Sequence, residues 1–254
     1  MQRPRYKTWV RTRPLVILST LTLVFASVSL LFVVHWVFLV ALIPAAIFAY
    51  MVAIVGLSKW RLGPGGYQAR IHQLLVERTT GGRILDIGCG SGHLLSKVAR
   101  AHPNATLVGL DYWGDNWEYS RELCIANFRA EGLEGRAEFI RGTASSLPAD
   151  LGTFDTVLSC MTFHEVRDTA DKTVSLRQAL SHVAPGGRFA FIDPFADQNY
   201  YPNPGAIAAA ITESGATITE HAPLQTLLPL PFPLKHTRVL GHTVLISGTK
   251  NTIR

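Results

Sequence analysis

From Leu15 to Leu57 the chain runs for 43 residues without one Asp, Glu, Lys or Arg, and 35 of those residues are apolar. A single helix of that length, rising 1.5 Å per residue, would reach about 64 Å, twice the roughly 30 Å hydrocarbon core of a bilayer. Two spans fit instead, at Leu15–Val34 and Val37–Leu57, turning at His35-Trp36, where an indole and an imidazole suit a wet interface. Pro44 then falls inside the second span and is expected to kink it. A cleavable signal peptide is the competing reading. The run is far longer than an h-region of about 7–15 residues, and no clear Ala-x-Ala site follows it. One tilted span with an interfacial helix is the other alternative.

Charge divides the chain at the same place. Of the net charge of +6, Arg3, Arg5, Lys7, Arg11 and Arg13 supply five before the run, and residues 58–254 supply only one. The basic balance therefore belongs to a juxtamembrane tail, and nucleic acid is disfavoured as a partner. Lys59, Arg61 and Arg70 follow the run. Cations on both flanks favour both ends in the cytoplasm and an even number of spans. The expected organisation is a basic cytoplasmic tail (1–14), two transmembrane helices (15–57), a linker with a leading helix (58–82) and a cytoplasmic domain (83–254). The protein would then be a multi-pass resident of the cell membrane with the bilayer as one partner. Cys89, Cys124 and Cys160 are odd in number and lack CxxC spacing, as befits a reducing compartment. The nine histidines show no metal-ligand spacing, and no metal is expected.

Outside the run the apolar share falls from 48% to about 41%, in the range of a water-soluble domain. After Gly63–Gly66, strand-like and helix-like segments alternate as in βαβ units over a parallel sheet. Strands are expected at Arg83–Ile87, Thr106–Leu110, Ala137–Arg141, Phe154–Ser159, Arg188–Ile192 and Thr243–Ser247. Helices are expected from His93 to His102, from Trp117 to Glu131 with Asp115 or Asn116 as N-cap, and from Thr169 to Val183, where Pro185-Gly186-Gly187 ends the last.

The chemistry lies in Asp86-Ile-Gly88-Cys-Gly90-Ser-Gly92, a strand that enters a glycine turn and leaves as a helix. His93 stands where a dinucleotide fold would place its third glycine. Asp86, two residues before the first glycine, would oppose a pyrophosphate but suits a cofactor carrying a sulfonium and an ammonium. Asp111 ends the second strand, where a carboxylate can accept both ribose hydroxyls.

These residues resemble a class I S-adenosylmethionine-dependent methyltransferase, of the group that includes quinone and sterol methyltransferases. ILDIGCGSG (84–92), LVGLDYW (107–113), FDTVLSCMTFHEV (154–166) and ALSHVAPGGRFAFID (179–193) follow that family's order and spacing over residues 83–193. The resemblance implies an α/β, doubly wound, seven-stranded sheet, mostly parallel with an antiparallel last strand, and S-adenosyl-L-methionine bound above the carboxyl ends of the strands. It implies that Asp86 and the loop of Gly88, Cys89, Gly90 and Gly92 hold the methionine moiety, Asp111 the ribose, and Tyr112 the adenine. The backbone around Ser159 and Cys160 would border the methyl group. Where the family carries Gly-Asp, this chain has Gly142-Thr143, and a threonine hydroxyl accepts from an adenine amino group more weakly than a carboxylate. Ala144 and Leu147 would form an apolar wall.

His164 follows the fourth strand and is the candidate catalytic base toward an acceptor hydroxyl, against the plainer reading of a loop histidine with a structural hydrogen bond. Glu165 reads as a solvated or capping carboxylate and Cys89 as a small residue chosen for fit. Trp113 and Trp117 read as packing in the core or over the cofactor. The implied activity is methyl transfer to a small, membrane-soluble acceptor, covered by the Pro-rich stretches Pro194–Gly205 and Pro223–Lys235. The alternative is a non-catalytic membrane protein that keeps the fold for cofactor sensing or assembly.

Overall fold

A computed structural model describes residues 3–63, 65–114 and 117–252. Pro64 of the glycine hinge, and the N-cap candidates Asp115 and Asn116, lie outside the described residues. The chain divides into two compact units: Thr8–Tyr67, and Met1–Lys7 together with Gln68–Arg254. The basic tail expected over residues 1–14 is thus split, its first seven residues belonging with the large unit.

In the apolar unit α1 (Thr12–Ser29) runs on as a 3₁₀ turn to Val33, and a second 3₁₀ stretch (Trp36–Ala41) leads into α2 (Leu42–Leu62). Both helices are long and apolar enough to cross a membrane, by length and composition. Between them His35 is extended, and its ring Nδ1 accepts from Val37 N at 3.1 Å, capping the second helix. Phe25 stacks on Phe48 with centroids 5.7 Å apart. Lys59 Nζ donates to Val10 O (2.9 Å) and to Thr12 Oγ1 (2.7 Å), tying the end of one helix to the start of the other. The second helix outruns the apolar stretch by five residues, because Lys59 and Arg61 are good helix formers and cations suit a helix's last turn. Pro44 falls inside the second candidate span, Trp36–Leu62. It is the third residue of α2, at the change from 3₁₀ to α-helix, where its missing N–H breaks no α-helical bond.

The large unit begins with α3 (Tyr67–Val76) and alternates β1 (Arg83–Ile87), α4 (His93–Ala101), β2 (Thr106–Asp111), α5 (Arg121–Ala130) and β3 (Ala137–Arg141). It continues through β4 (Phe154–Cys160), α6 (Thr173–Ser181), β5 (Val183–Asp193), α7 (Pro204–Glu213), β6 (Ala216–Pro223), α8 (Leu224–Leu227) and β7 (Val244–Lys250). Among the described residues these strands form one sheet in the order β3-β2-β1-β4-β5-β7-β6, with β7 antiparallel to both neighbours. This is the α/β, seven-stranded, mostly parallel sheet that the sequence implies. β1 lies centrally, so Ile84, Leu85 and Ile87 are buried on both faces, and Phe154, Phe163, Phe189 and Phe191 fill the core around them.

Most expected elements shift by a residue or more at an end, and the largest shifts are at the starts of α5, α6 and β5. α5 starts at Arg121 because the Ser120 side chain accepts from Leu123 N and caps it there. α6 is shorter at both ends, starting at Thr173 and stopping at Ser181. Pro185-Gly186-Gly187 lies inside β5, where the pairing with β4 shifts register between Phe154 and Thr156.

Candidate functional site

The expected residues gather along one edge of the sheet, at the carboxyl ends of β1 to β5. At the end of β1 the chain turns through Gly88, Gly90 and Gly92, all with positive φ. At Gly88 the position is fixed twice over: φ is +78°, and a Cβ there would stand 2.0 Å from Thr162 Oγ1. Gly92 caps α4 in the left-handed region. Gly88 N and Cys89 N both donate to Leu110 O, pinning the loop to the end of β2. Cys89 and Cys160 are buried, and burial holds both thiols well above their ordinary pKa.

Asp86 is 1% exposed, and neither carboxylate oxygen has a hydrogen-bond partner among the described residues. Burial first, then the charge of Asp111, pushes its pKa up to about 8. An unpaired carboxyl sealed at a strand end is costly unless a cationic donor joins it. Asp111 is already engaged: Oδ2 accepts from Gly90 N and Oδ1 from Trp113 N, each at 2.8 Å. The Tyr112 backbone N–H also acts on this carboxyl, and a carboxylate with about four acceptor sites keeps some capacity for a ligand hydroxyl. Tyr112 beside it is 62% exposed, with Arg141 over its ring.

Trp113 adopts a positive φ, and its indole Nε1 donates to Gly90 O at 2.9 Å. Tyr119 stacks on Trp117 and lies against Gly90. Tyr119 had no signal in the sequence, because only the tertiary turn after β2 carries it back to the loop. Thr143 donates to Asp168 Oδ2 at 2.7 Å and Ser145 donates to the same oxygen at 2.6 Å. These donors hold the Asp168 carboxyl below its ordinary pKa. A carboxylate thus stands beside the position where the family pattern lacks one, delivered from a different loop. Ala144 and Leu147 are buried in the core cluster. The Ser159 hydroxyl is spent on Ile87 O at 3.0 Å, leaving only its backbone to face the site.

His164 and Asp193 meet at the ends of β4 and β5. His164 Nδ1 and Asp193 Oδ1 are 2.9 Å apart, and His164 N donates to Asp193 Oδ2 at 3.1 Å. Tyr201 donates to that second oxygen at 2.5 Å, and the His164 ring meets the Tyr200 ring edge-on at 5.1 Å. Nε2 lies 3.8 Å from Glu165 Oε1. Burial lowers the imidazole pKa, but the charge and hydrogen bond of Asp193, with Glu165 beyond, outweigh it and the net shift is upward. With Nδ1 turned to a buried carboxylate, Nε2 is the ring nitrogen on the opposite side from Asp193. Asp193 and Tyr201 were missed in the sequence reading.

Residues 84–187 match the family model described as methyltransferase domain. These residues are a methyltransferase domain of the class I fold. An uncharacterised methyltransferase of Synechocystis is 32% identical over 139 residues, covering 53% of this chain and 59% of that protein. A fatty-acid O-methyltransferase of Mycolicibacterium smegmatis is 34% identical over 127 residues, covering 50% of this chain and 41% of that protein. The chain therefore spans about half the length of these relatives. Among solved structures, an O-methyltransferase segment titled StiE O-MT superposes with a TM-score of 0.57 at 16% identity, over 78% of this chain and 81% of that one. That likeness shows the fold; S-adenosylmethionine is the methyl donor of methyltransferase domains such as the one that residues 84–187 match. The methyltransferase domain fits that donor: Asp86 offers an unpaired buried carboxyl for an ammonium, and Gly88–Gly92 form a cradle whose first position admits no side chain.

Proposed function

We propose that this chain is a membrane-anchored methyltransferase that moves a methyl group from S-adenosylmethionine to a hydroxyl of a small lipophilic acceptor. The observation that carries the reading is Asp86, a buried carboxyl with no hydrogen-bond partner among the described residues, two positions before the glycine loop. When bound, S-adenosylmethionine supplies a methyl carbon activated by its sulfonium. Asp86 would hold the ammonium, Asp111 the ribose hydroxyls, and Tyr112, Thr143 and Ala144 the adenine side. His164 Nε2 would take the acceptor's hydroxyl proton, while Asp193 keeps Nδ1 protonated and the resulting imidazolium neutralised. An acceptor with an ionisable O–H suits such a base. Positioning and exclusion of water supply the rest of the rate.

Anchoring is supported by the exposed apolar side chains of the first unit, where Val33 and Val34 are about 80% exposed. Cations flank the apolar run on both sides, at Arg11 and Arg13 before it and at Lys59 and Arg61 after it, which suits two ends kept on one side. A segment that returns to one side crosses an even number of times. That reading agrees with both ends in the cytoplasm, where the cations of both flanks belong.

Calorimetry on the full chain in detergent is expected to show binding of S-adenosylmethionine and S-adenosylhomocysteine and none of NAD. The reverse pattern would overturn the reading. A membrane lipid extract incubated with the chain and methyl-labelled donor is expected to yield one labelled species carrying a methyl ether or ester.

A further inference from the structure

The segment before the first apolar helix is built into the large unit at the place where the proposed donor site lies. Arg5 N donates to Asn127 Oδ1 at 2.7 Å, and Asn127 Nδ2 donates to Ser91 O at 2.9 Å. Lys7 N donates to Ser91 Oγ at 3.2 Å, across 84 residues of chain. Ser91 is the residue between Gly90 and Gly92, so its carbonyl and its hydroxyl are both gripped, one through buried Asn127 and one by the tail directly. Tyr6 stacks on His93, the first residue of α4, with centroids 4.3 Å apart, and its hydroxyl donates to Ser96 Oγ at 2.8 Å. Gln68 Nε2 donates to Lys7 O at 3.3 Å, and Lys7 Nζ lies 3.6 Å from Glu118.

We infer that residues 5–7 are a strap that holds the glycine loop in its donor-binding conformation, with Asn127 as the positioning residue that transmits its grip. A loop with three glycines in five residues has more conformations to lose than any other composition, and whatever fixes it before the ligand arrives lowers the cost of binding. Release of the strap would free Ser91 and leave Asn127 Oδ1 buried without its donor. The strap continues through Thr8 into α1, so the donor loop is tied by covalent chain to the apolar segment. Linkage makes the effect reciprocal: a ligand that favours the ordered loop favours the docked strap by the same factor.

The inference rests on the donor site proposed above, and its test separates the two. The full chain in detergent is titrated with S-adenosylhomocysteine, as wild type, Tyr6→Ala, Asn127→Ala and the double variant. Each single variant is expected to bind about tenfold more weakly, and the double variant little more weakly than either, because both release one strap. Tyr6→Ala removes a side chain from a terminal segment and leaves the sheet untouched, so it reports even where Asn127→Ala folds poorly. In the wild type, trypsin cleavage after Arg5 and Lys7 is expected to slow at saturating S-adenosylhomocysteine, while cleavage after exposed Lys235 does not. Unchanged affinity in Tyr6→Ala, additive losses in the double variant, or tail cleavage indifferent to the ligand would each overturn the strap. Failure of the wild type to bind at all would overturn the donor site, and the strap with it.

Discussion

Asp86 and His164 carry opposite electrostatic problems, and each makes a test. An acid whose pKa is about 8 when folded and 3.8 in its ordinary state binds more protons folded than unfolded between those values. The ligand-free chain therefore loses stability as pH rises from 4 to 8, by at most about 5 kcal/mol. Asp86→Asn is expected to melt higher than the wild type at pH 8 and equally at pH 4, and to bind S-adenosylhomocysteine at least about 30-fold more weakly, having lost a buried charge partner. Wild-type binding at pH 7 should release close to one proton, read by calorimetry in buffers of different ionisation heat; none released would mean that the carboxyl is already ionised. At His164 the net shift is upward and the neutral ring is the base, so the rate is expected to rise with pH through a midpoint above 6.5. Asp193→Asn removes the charge that raises the His164 pKa most and leaves only Glu165 against the lowering effect of burial. That limb should move to lower pH while the plateau falls, and a profile that does not move would remove Asp193 from the mechanism. His164→Ala should lower kcat by about 10²–10⁴-fold.

Among elements, the turn from β1 to α4 concentrates the constraint. Gly88 and Gly90 both have positive φ, but only at Gly88 would a Cβ strike a neighbour, Thr162, whereas at Gly90 the nearest atoms are the Tyr119 ring at 3.6 Å. Gly90→Ala is thus expected to cost about 1 kcal/mol of stability from backbone conformation alone. Gly88→Ala should cost at least about 2 kcal/mol and displace Thr162, whose hydroxyl now donates to Ile87 O and Cys160 O. Urea denaturation of the two variants measures the gap, and equal losses would mean that the loop relaxes freely at both positions. The edge of the sheet tells the converse story. β6 alternates half-buried and exposed residues in Ala-Thr-Ile-Thr-Glu-His, a weak pattern that reads as loop until β7 is placed beside it. α7 did carry a local signal, with Asn203 capping, Pro204 at its first position and helix-favouring alanines after it.

For the whole molecule, the tail and the methyltransferase domain share one unit, and this makes topology testable. Single cysteines placed near residue 3 and near residue 250 are expected to react alike with an impermeant maleimide in intact cells. Both should be protected, and both should become labelled once the membrane is opened. Opposite behaviour of the two ends would require an odd number of spans. Protection of neither would put the domain outside, away from the cytoplasmic pool of its donor.

Sequence alone determined whatever depends on neighbours along the chain. An uncharged run of fixed length sets how many helices of bilayer thickness it can make. A strand buried on both faces announces itself as an apolar run, as at Arg83–Ile87, and the edge strand Ala137–Arg141 is likewise observed at the bounds its residues suggest. The acid–glycine–acid order of Asp86, Gly88–Gly92 and Asp111 was likewise local. What only the tertiary structure decided is partnership between distant residues. Asp193 reaches His164 across 29 positions because β4 and β5 pair in parallel and end together. Asp168 reaches Thr143 across 25 positions from a loop that no periodicity describes. Residues 5–7 reach Asn127 and Ser91 across more than 80. Such contacts are set by strand order and packing, and a one-dimensional pattern holds no record of which ends of the sheet will meet.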